Sequence, residues 1–299
     1  MLKGTDIPIL GKLLAFLFGN VIRESQSKPL PKHLRQLVSF SQPFDPLQQS
    51  EALPIGIVIP CHQKDFSNLN LVIAGATNTI RNPIKSITVV TPGAFRSEIE
   101  YLFPEIDVIP EETVIGQVEM DFLMRLPNAN RRGWFLQQLL KLKTAINAKE
   151  QASLILDADT VLLRERTWIN QKKVQIICIA EEFHLPYKQC HERYFGSSQF
   201  PWSFTTHHQL MQQDFLQEMF GPKGERLLNW LLVCDFALES PISDYESYGE
   251  WITQNHPERM IYAKWNNQPI RIQNKRIGFE EFRGKFSPEI CSVSMHSYL

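Results

Sequence analysis

From Ile55 onward the chain alternates short apolar runs with stretches of helical periodicity, and this alternation restricts the fold more than any other feature. Ile55-Gly56-Ile57-Val58-Ile59, stopped by Pro60, has the composition of a buried strand. Leu69, Val72, Ile73, Ala76 and Ile80 then fall on one helical face. Ser86-Ile87-Thr88-Val89-Val90 follows as a second strand, closed by Pro92-Gly93. Strand, helix and strand in so short a span make a βαβ unit with parallel strands. Ile106 to Ile109, Ser153 to Leu156 and Val174 to Ile179 extend the series. The expected fold is α/β, with a mixed, mostly parallel, Rossmann-like sheet and helices on both faces.

Such sheets bind ligands beyond the carboxyl ends of their strands. The informative residues are therefore those that follow each strand. Cys61-His62-Gln63-Lys64-Asp65 follows the first, and Asp157-Ala158-Asp159 follows the fourth. Residues i and i+2 of an extended segment face the same side, so Asp157 and Asp159 converge. Two carboxylates held together repel, and one takes up a proton unless a cation intervenes. A hard divalent ion, Mn²⁺ or Mg²⁺, resolves this and can bridge to diphosphate oxygens. The competing reading is a turn in which both side chains bond local backbone amides.

The helix before this pair has a core face of Phe135, Leu139, Leu142 and Ile146, with Trp134, Gln138 and Lys141 along its flank. That flank is either a solvated edge or a source of cations, in which case Arg131, Arg132 or Lys141 reaches a diphosphate. Trp202 to Met211 reads as a strand running into a helix. Trp202 can stack on a sugar or pack in the core, and His207 can contact a donor or serve locally. Ser243-Asp244-Tyr245-Glu246 fits a capping box with Ser243 as N-cap and Glu246 at N3. Asp244 and Glu246 are also the candidate catalytic acids, placed to orient or deprotonate an acceptor hydroxyl.

The remainder of the chain sets limits. Ile7 to Ile22 is mostly apolar but includes Gly11, Lys12, Gly19 and Asn20, and is shorter than the ~20 residues that span a bilayer. It reads as a helix packed on the domain, or as one lying on the inner membrane surface near lipid-linked acceptors. Prolines 29, 31, 43, 46 and 54 mark a linker, so the expected division is 1–53 for the N-terminal helix and Pro-rich linker and 54–299 for the catalytic domain. A formal charge of -1 excludes a general basic surface for nucleic acid. Five dispersed cysteines without CxxC spacing fit neither a disulfide framework nor a zinc site, and suit a reducing, cytoplasmic compartment.

Taken in order, the strand into Pro60, Gly133-Trp134 with Gln137-Gln138 and Lys141-Leu142, Leu156-Asp157-Ala158-Asp159-Thr160, Thr206-His207-His208, Asp244-Tyr245-Glu246-Ser247-Tyr248-Gly249 and His296 resemble GT-A glycosyltransferases, and among them a bacterial family of glycosyltransferase-like proteins. The resemblance covers roughly residues 54–299. It implies a nucleotide-sugar-binding catalytic domain that moves a sugar from a UDP- or GDP-linked donor to a glycan, lipid-linked or small-molecule acceptor. It further implies that Asp157 and Asp159 act as a DxD pair on the metal and diphosphate, that His296 is a late metal ligand, and that Asp65 contacts the nucleobase or ribose. Ala158, between the two acids, carries no information about the donor. A sugar nucleotidyltransferase is disfavoured because Cys61 to Asn70 contains no glycine. A non-catalytic nucleotide- or glycan-binding module would keep the same sheet and need no base.

Overall fold

The computed structural model describes residues 47–180, 183–197, 202–271 and 277–296. The expected N-terminal helix lies outside them. The strands among the described residues are β1 Ile55–Pro60, β2 Ile84–Thr91, β3 Asp107–Pro110, β4 Ala152–Leu156, β5 Thr160–Leu162, β6 Gln175–Ile179, β7 His208–Gln212, β8 Met260–Lys264, β9 Asn267–Arg271 and β10 Ser292–His296. The central sheet has the order β3-β2-β1-β4-β7. Its first four strands are parallel to one another, and β7 is antiparallel to β4. The α/β class with a mostly parallel sheet is therefore what the chain adopts.

The alternation along the strands explains the layers. Ile55, Ile57 and Ile59 of β1 and Leu154 and Leu156 of β4 belong to one core cluster, with Leu69, Val72 and Ala76 of the Phe66–Thr79 helix. Val58 and Ile155 point the other way, to a cluster with Phe135, Leu139 and Leu142 of the Arg132–Ile146 helix. Gly75 lets the Phe66–Thr79 helix close onto β5, since a Cβ there would lie 2.9 Å from the Leu162 carbonyl oxygen.

Two expectations change. The run ending at Ile179 does form β6, but it pairs with β8 in a separate two-stranded sheet. The fifth central strand is β7, in the Trp202 to Met211 segment expected to run from a strand into a helix; the helix begins only at Gln213. An apolar-polar alternation is missing from β7 because both of its faces are covered. His208, Gln209, Leu210, Met211 and Gln212 are all buried. The end of the expected linker also belongs to the fold. Leu47 and Leu53 are buried, and the Leu53 amide donates to the Ile169 carbonyl.

β2 and β3 lie on one side of β1, and β4 lies on the other. The chain leaves β1 toward β2 and later returns to place β4 on the opposite side, so the loops after β1 and β4 flank a switch point. Asp65 and the Asp157/Asp159 pair sit in those loops.

Candidate functional site

The site is assembled by strand register. β4 and β7 pair with Leu156 opposite His208, which sets His207 beside Asp157; the Asp157 amide donates to the His207 carbonyl at 3.1 Å. His207 adopts φ 62°, a left-handed conformation uncommon for a side-chain-bearing residue. Its Nδ1 lies 3.3 Å from Asp157 Oδ2. β10 folds back antiparallel to β5, with Ser294 opposite Thr160. The Met295 amide then donates to the Asp159 carbonyl at 2.8 Å, and His296 Nδ1 comes within 3.3 Å of Asp159 Oδ2. The two imidazole rings are 5.7 Å apart.

Lys141 enters from the Arg132–Ile146 helix. Its side chain is 2% exposed, and Nζ lies 2.6 Å from Asp157 Oδ1 and 3.7 Å from Asp244 Oδ2. The Tyr245 hydroxyl donates to the same Asp157 oxygen at 2.8 Å, and Lys141 Nζ stands 4.2 Å over the Tyr245 ring. The Asp244 amide donates to Gln138 Oε1 at 2.8 Å, while Asp244 Oδ2 is buried without a hydrogen bond. The flank expected to be either solvated or cationic is thus buried at Gln138 and Lys141, and Lys141 supplies the cation that Asp157 needs.

The protonation states follow. Burial would push the Asp157 carboxyl up, but Lys141 and His207 outweigh it and hold the group well below the usual carboxylate range. Asp244 moves the other way: burial, with the Asp157 charge behind it, raises it to about 6 against the pull of Lys141. Burial also lifts Asp65 to about 6, opposed by Lys64 and aided by Asp159 and Asp157. Lys141 itself stays protonated, because the two acids more than offset its desolvation.

Other expected residues lie elsewhere. Arg131 pairs with Glu239, and Arg132 donates to the Leu126 carbonyl, so neither joins the cluster. Trp202 is 5% exposed, its ring closed off from any sugar. Glu246 is no reciprocal cap. Ser243 does accept from the Glu246 amide at 3.2 Å, but the Glu246 carboxylate accepts instead from Ser203 Oγ (2.8 Å) and the Phe204 amide (2.9 Å), and pairs with Lys188. Ser203 and the Phe204 amide hold one of its oxygens and Lys188 the other, so none is left for an acceptor. Its use is to tie the start of the Asp244–Asn255 helix to the loop that carries His207. Gly249 permits the same approach, since a Cβ there would overlap the Phe204 ring. His208 is a core residue between Trp168 and Trp265, its pKa pushed down to about 3 by burial. Sequence reasoning passed over Tyr245 and Lys188; Tyr245 could have been noticed as the residue between two acids in one helical turn.

Among the described residues, no group of three or more His, Cys, Asp or Glu side chains is placed to hold a metal ion. The donor chemistry nonetheless suits a hard cation. Asp65 feels the charges of Asp157 and Asp159, Asp244 that of Asp157, and buried Lys141 those of Asp157, Asp159 and Asp244. Mg²⁺-type ions characteristically take one or two carboxylates and complete their shell with substrate phosphate and water rather than a full protein cage.

The family described as "Family of unknown function (DUF6492)" matches residues 55–207, slightly more than half of the chain. The chain belongs to that family. The portion shared with DUF6492 begins at β1 and ends on His207, so it contains Asp65, Lys141, Asp157 and Asp159; Asp244, Tyr245 and His296 lie beyond it. No curated protein matches by sequence. Among solved structures, apo mouse xyloside xylosyltransferase 1 is similar at 12% identity and a TM-score of 0.46, over 82% of this chain and 99% of that one. No helix among the described residues is long and apolar enough to cross a membrane.

Proposed function

We propose that this DUF6492 chain is a glycosyltransferase that takes a sugar from a nucleoside-diphosphate donor, UDP- or GDP-linked, and passes it to a hydroxyl acceptor. The observation that supports this best is the excess of carboxylate around Lys141 at the switch point of the sheet. Such a cluster repels a diphosphate by itself and attracts one through a divalent cation. Asp159 and His296 would hold Mn²⁺ or Mg²⁺, with donor phosphate and water completing the shell, and the ion would supply charge stabilisation to the departing diphosphate. Asp65 approaches the same acids from the β1 loop and suits the nucleoside end. Lys141 fixes Asp157 and keeps its charge, and Tyr245 caps the same oxygen. Asp244 Oδ2, which has no hydrogen bond among the described residues and faces Lys141 at 3.7 Å, would take the acceptor's proton.

Calorimetric titration of UDP and GDP tests the proposal. Affinity is expected to require Mn²⁺ and to fall by about tenfold or more in Asp159→Asn, a loss of ~1.4 kcal/mol. Equal binding after thorough chelation would remove the metal from the reading. Donor binding without turnover against any acceptor would favour a binding module instead.

A further inference from the structure

The expected sugar-stacking ring, Trp202, is buried, yet another tryptophan stands at the rim of the cluster. Trp134 is half-buried in the first turn of the Arg132–Ile146 helix. Trp134, Gln138 and Lys141 follow at spacings of four and three residues, so they form one stripe. Lys141 meets Asp157, Gln138 holds the Asp244 amide, and Trp134 comes one turn further out. At ~1.5 Å rise per residue, Trp134 lies about 10 Å along the helix axis from Lys141. The helix leads into parallel strand β4, so its first turn belongs to the carboxyl edge of the sheet, where the acids are.

The ring has a built setting. It stacks on Tyr187 with planes 21° apart and centroids at 6.3 Å. His184 packs edge-on against Tyr187 at 4.4 Å and is itself fixed by a 2.8 Å contact to the Ser240 carbonyl. Trp134 is only partly buried where it packs against the core, and its neighbour Gly133 is exposed, with nothing within 4 Å of a Cβ there. Gln137, also half-buried, has an amide with no hydrogen-bond partner among the described residues. A flat aromatic edge with an unused amide on the next helical turn matches a carbohydrate, which offers a C–H face ringed by hydroxyls. A lipid chain would call for a continuous apolar surface, and the polar flanks do not provide one.

Resting on the reading above, we propose that Trp134, held by Tyr187, forms the acceptor subsite, and that the acceptor it takes is a sugar.

The test is binding of a disaccharide panel (lactose, cellobiose, xylobiose and mannobiose) to the full chain, followed by ligand-observed NMR, with UDP and GDP titrated in parallel in Mn²⁺. At least one disaccharide is expected to bind. Its affinity should fall about tenfold in Trp134→Ala and survive largely in Trp134→Phe, with nucleotide affinity unchanged and melting temperatures matched. Absence of binding by every disaccharide, or equal binding by Trp134→Ala, overturns the subsite. Nucleotide titration keeps this separate from the donor reading. If UDP or GDP binds while sugar binding ignores Trp134, the acceptor subsite alone fails. If neither nucleotide binds while sugar binding depends on Trp134, the donor reading fails and the subsite stands.

Discussion

Two buried lysines, each set between two carboxylates, show how the same interaction serves different ends. Lys141 lies between Asp157 and Asp244, and Lys188 between Glu246 and Glu250. Around Lys188 the protein is closed: Glu246 is 1% and Glu250 0% exposed, and the lysine also donates to the Trp202 carbonyl at 2.6 Å. Backbone and hydroxyl donors hold one oxygen of the Glu246 carboxylate and Lys188 the other. The Lys141 cluster opens outward, with side-chain exposures of 25% at Asp159, 23% at His207 and 11% at His296. Among the described residues neither Asp244 Oδ2 nor Glu246 Oε1 has a hydrogen bond, but Lys188 contacts the Glu246 oxygen directly whereas Lys141 stands 3.7 Å from the Asp244 oxygen. The Lys188 cluster satisfies its charges internally, whereas the Lys141 cluster retains accessible charge. Both are joined through the Asp244–Asn255 helix, whose first turn supplies Asp244, Tyr245 and Glu246.

The sharpest way to break this comparison is Lys188→Met. It strands two buried glutamates, and stability should fall by about 3–5 kcal/mol, measured by urea denaturation. Equivalent stability would show that the Lys188 network is not a strut.

Asp244→Asn gives the intermediate effect and sharpens the other half. With its folded pKa raised to about 6, Asp244 binds its proton more tightly in the native state than in the unfolded chain. Its penalty on stability therefore appears as pH rises from about 4 and is complete above about 6. The Asn variant should be no more stable than wild type near pH 4 and should gain relative to it by about 1–3 kcal/mol by pH 7. Transfer activity should rise through pH 6 in wild type only. A pH-independent difference in stability would contradict the assignment.

The smallest effect is expected at the shared helix start. Ser243→Ala removes one cap and should cost about 1 kcal/mol. Because that helix serves both clusters, the melting temperature should drop slightly with no change in the pH profile of activity. A shifted profile would mean that the cap positions Asp244 as well.

The apolar periodicities of β1, β2 and β4, and the helices between them, were legible because they depend on neighbours a few residues apart. Ser243 was legible as a cap for the same reason. Asp157 and Asp159 could be singled out by their place after a strand. Their surroundings could not, and neither could the role of Glu246, which had an equally good local partner in the capping box and took a distant one instead. His208 likewise sits in a sequence that suits a helix start, and strand pairing with β4 decided otherwise. Tertiary structure alone brought Lys141, His207, Tyr245 and His296 to the acids, from helices and strands far apart in the chain. The physical reason is that periodicity is written in adjacent side chains, whereas the choice of partner for a buried charge depends on which strands pair, in which register, and on what the resulting interior leaves unsatisfied.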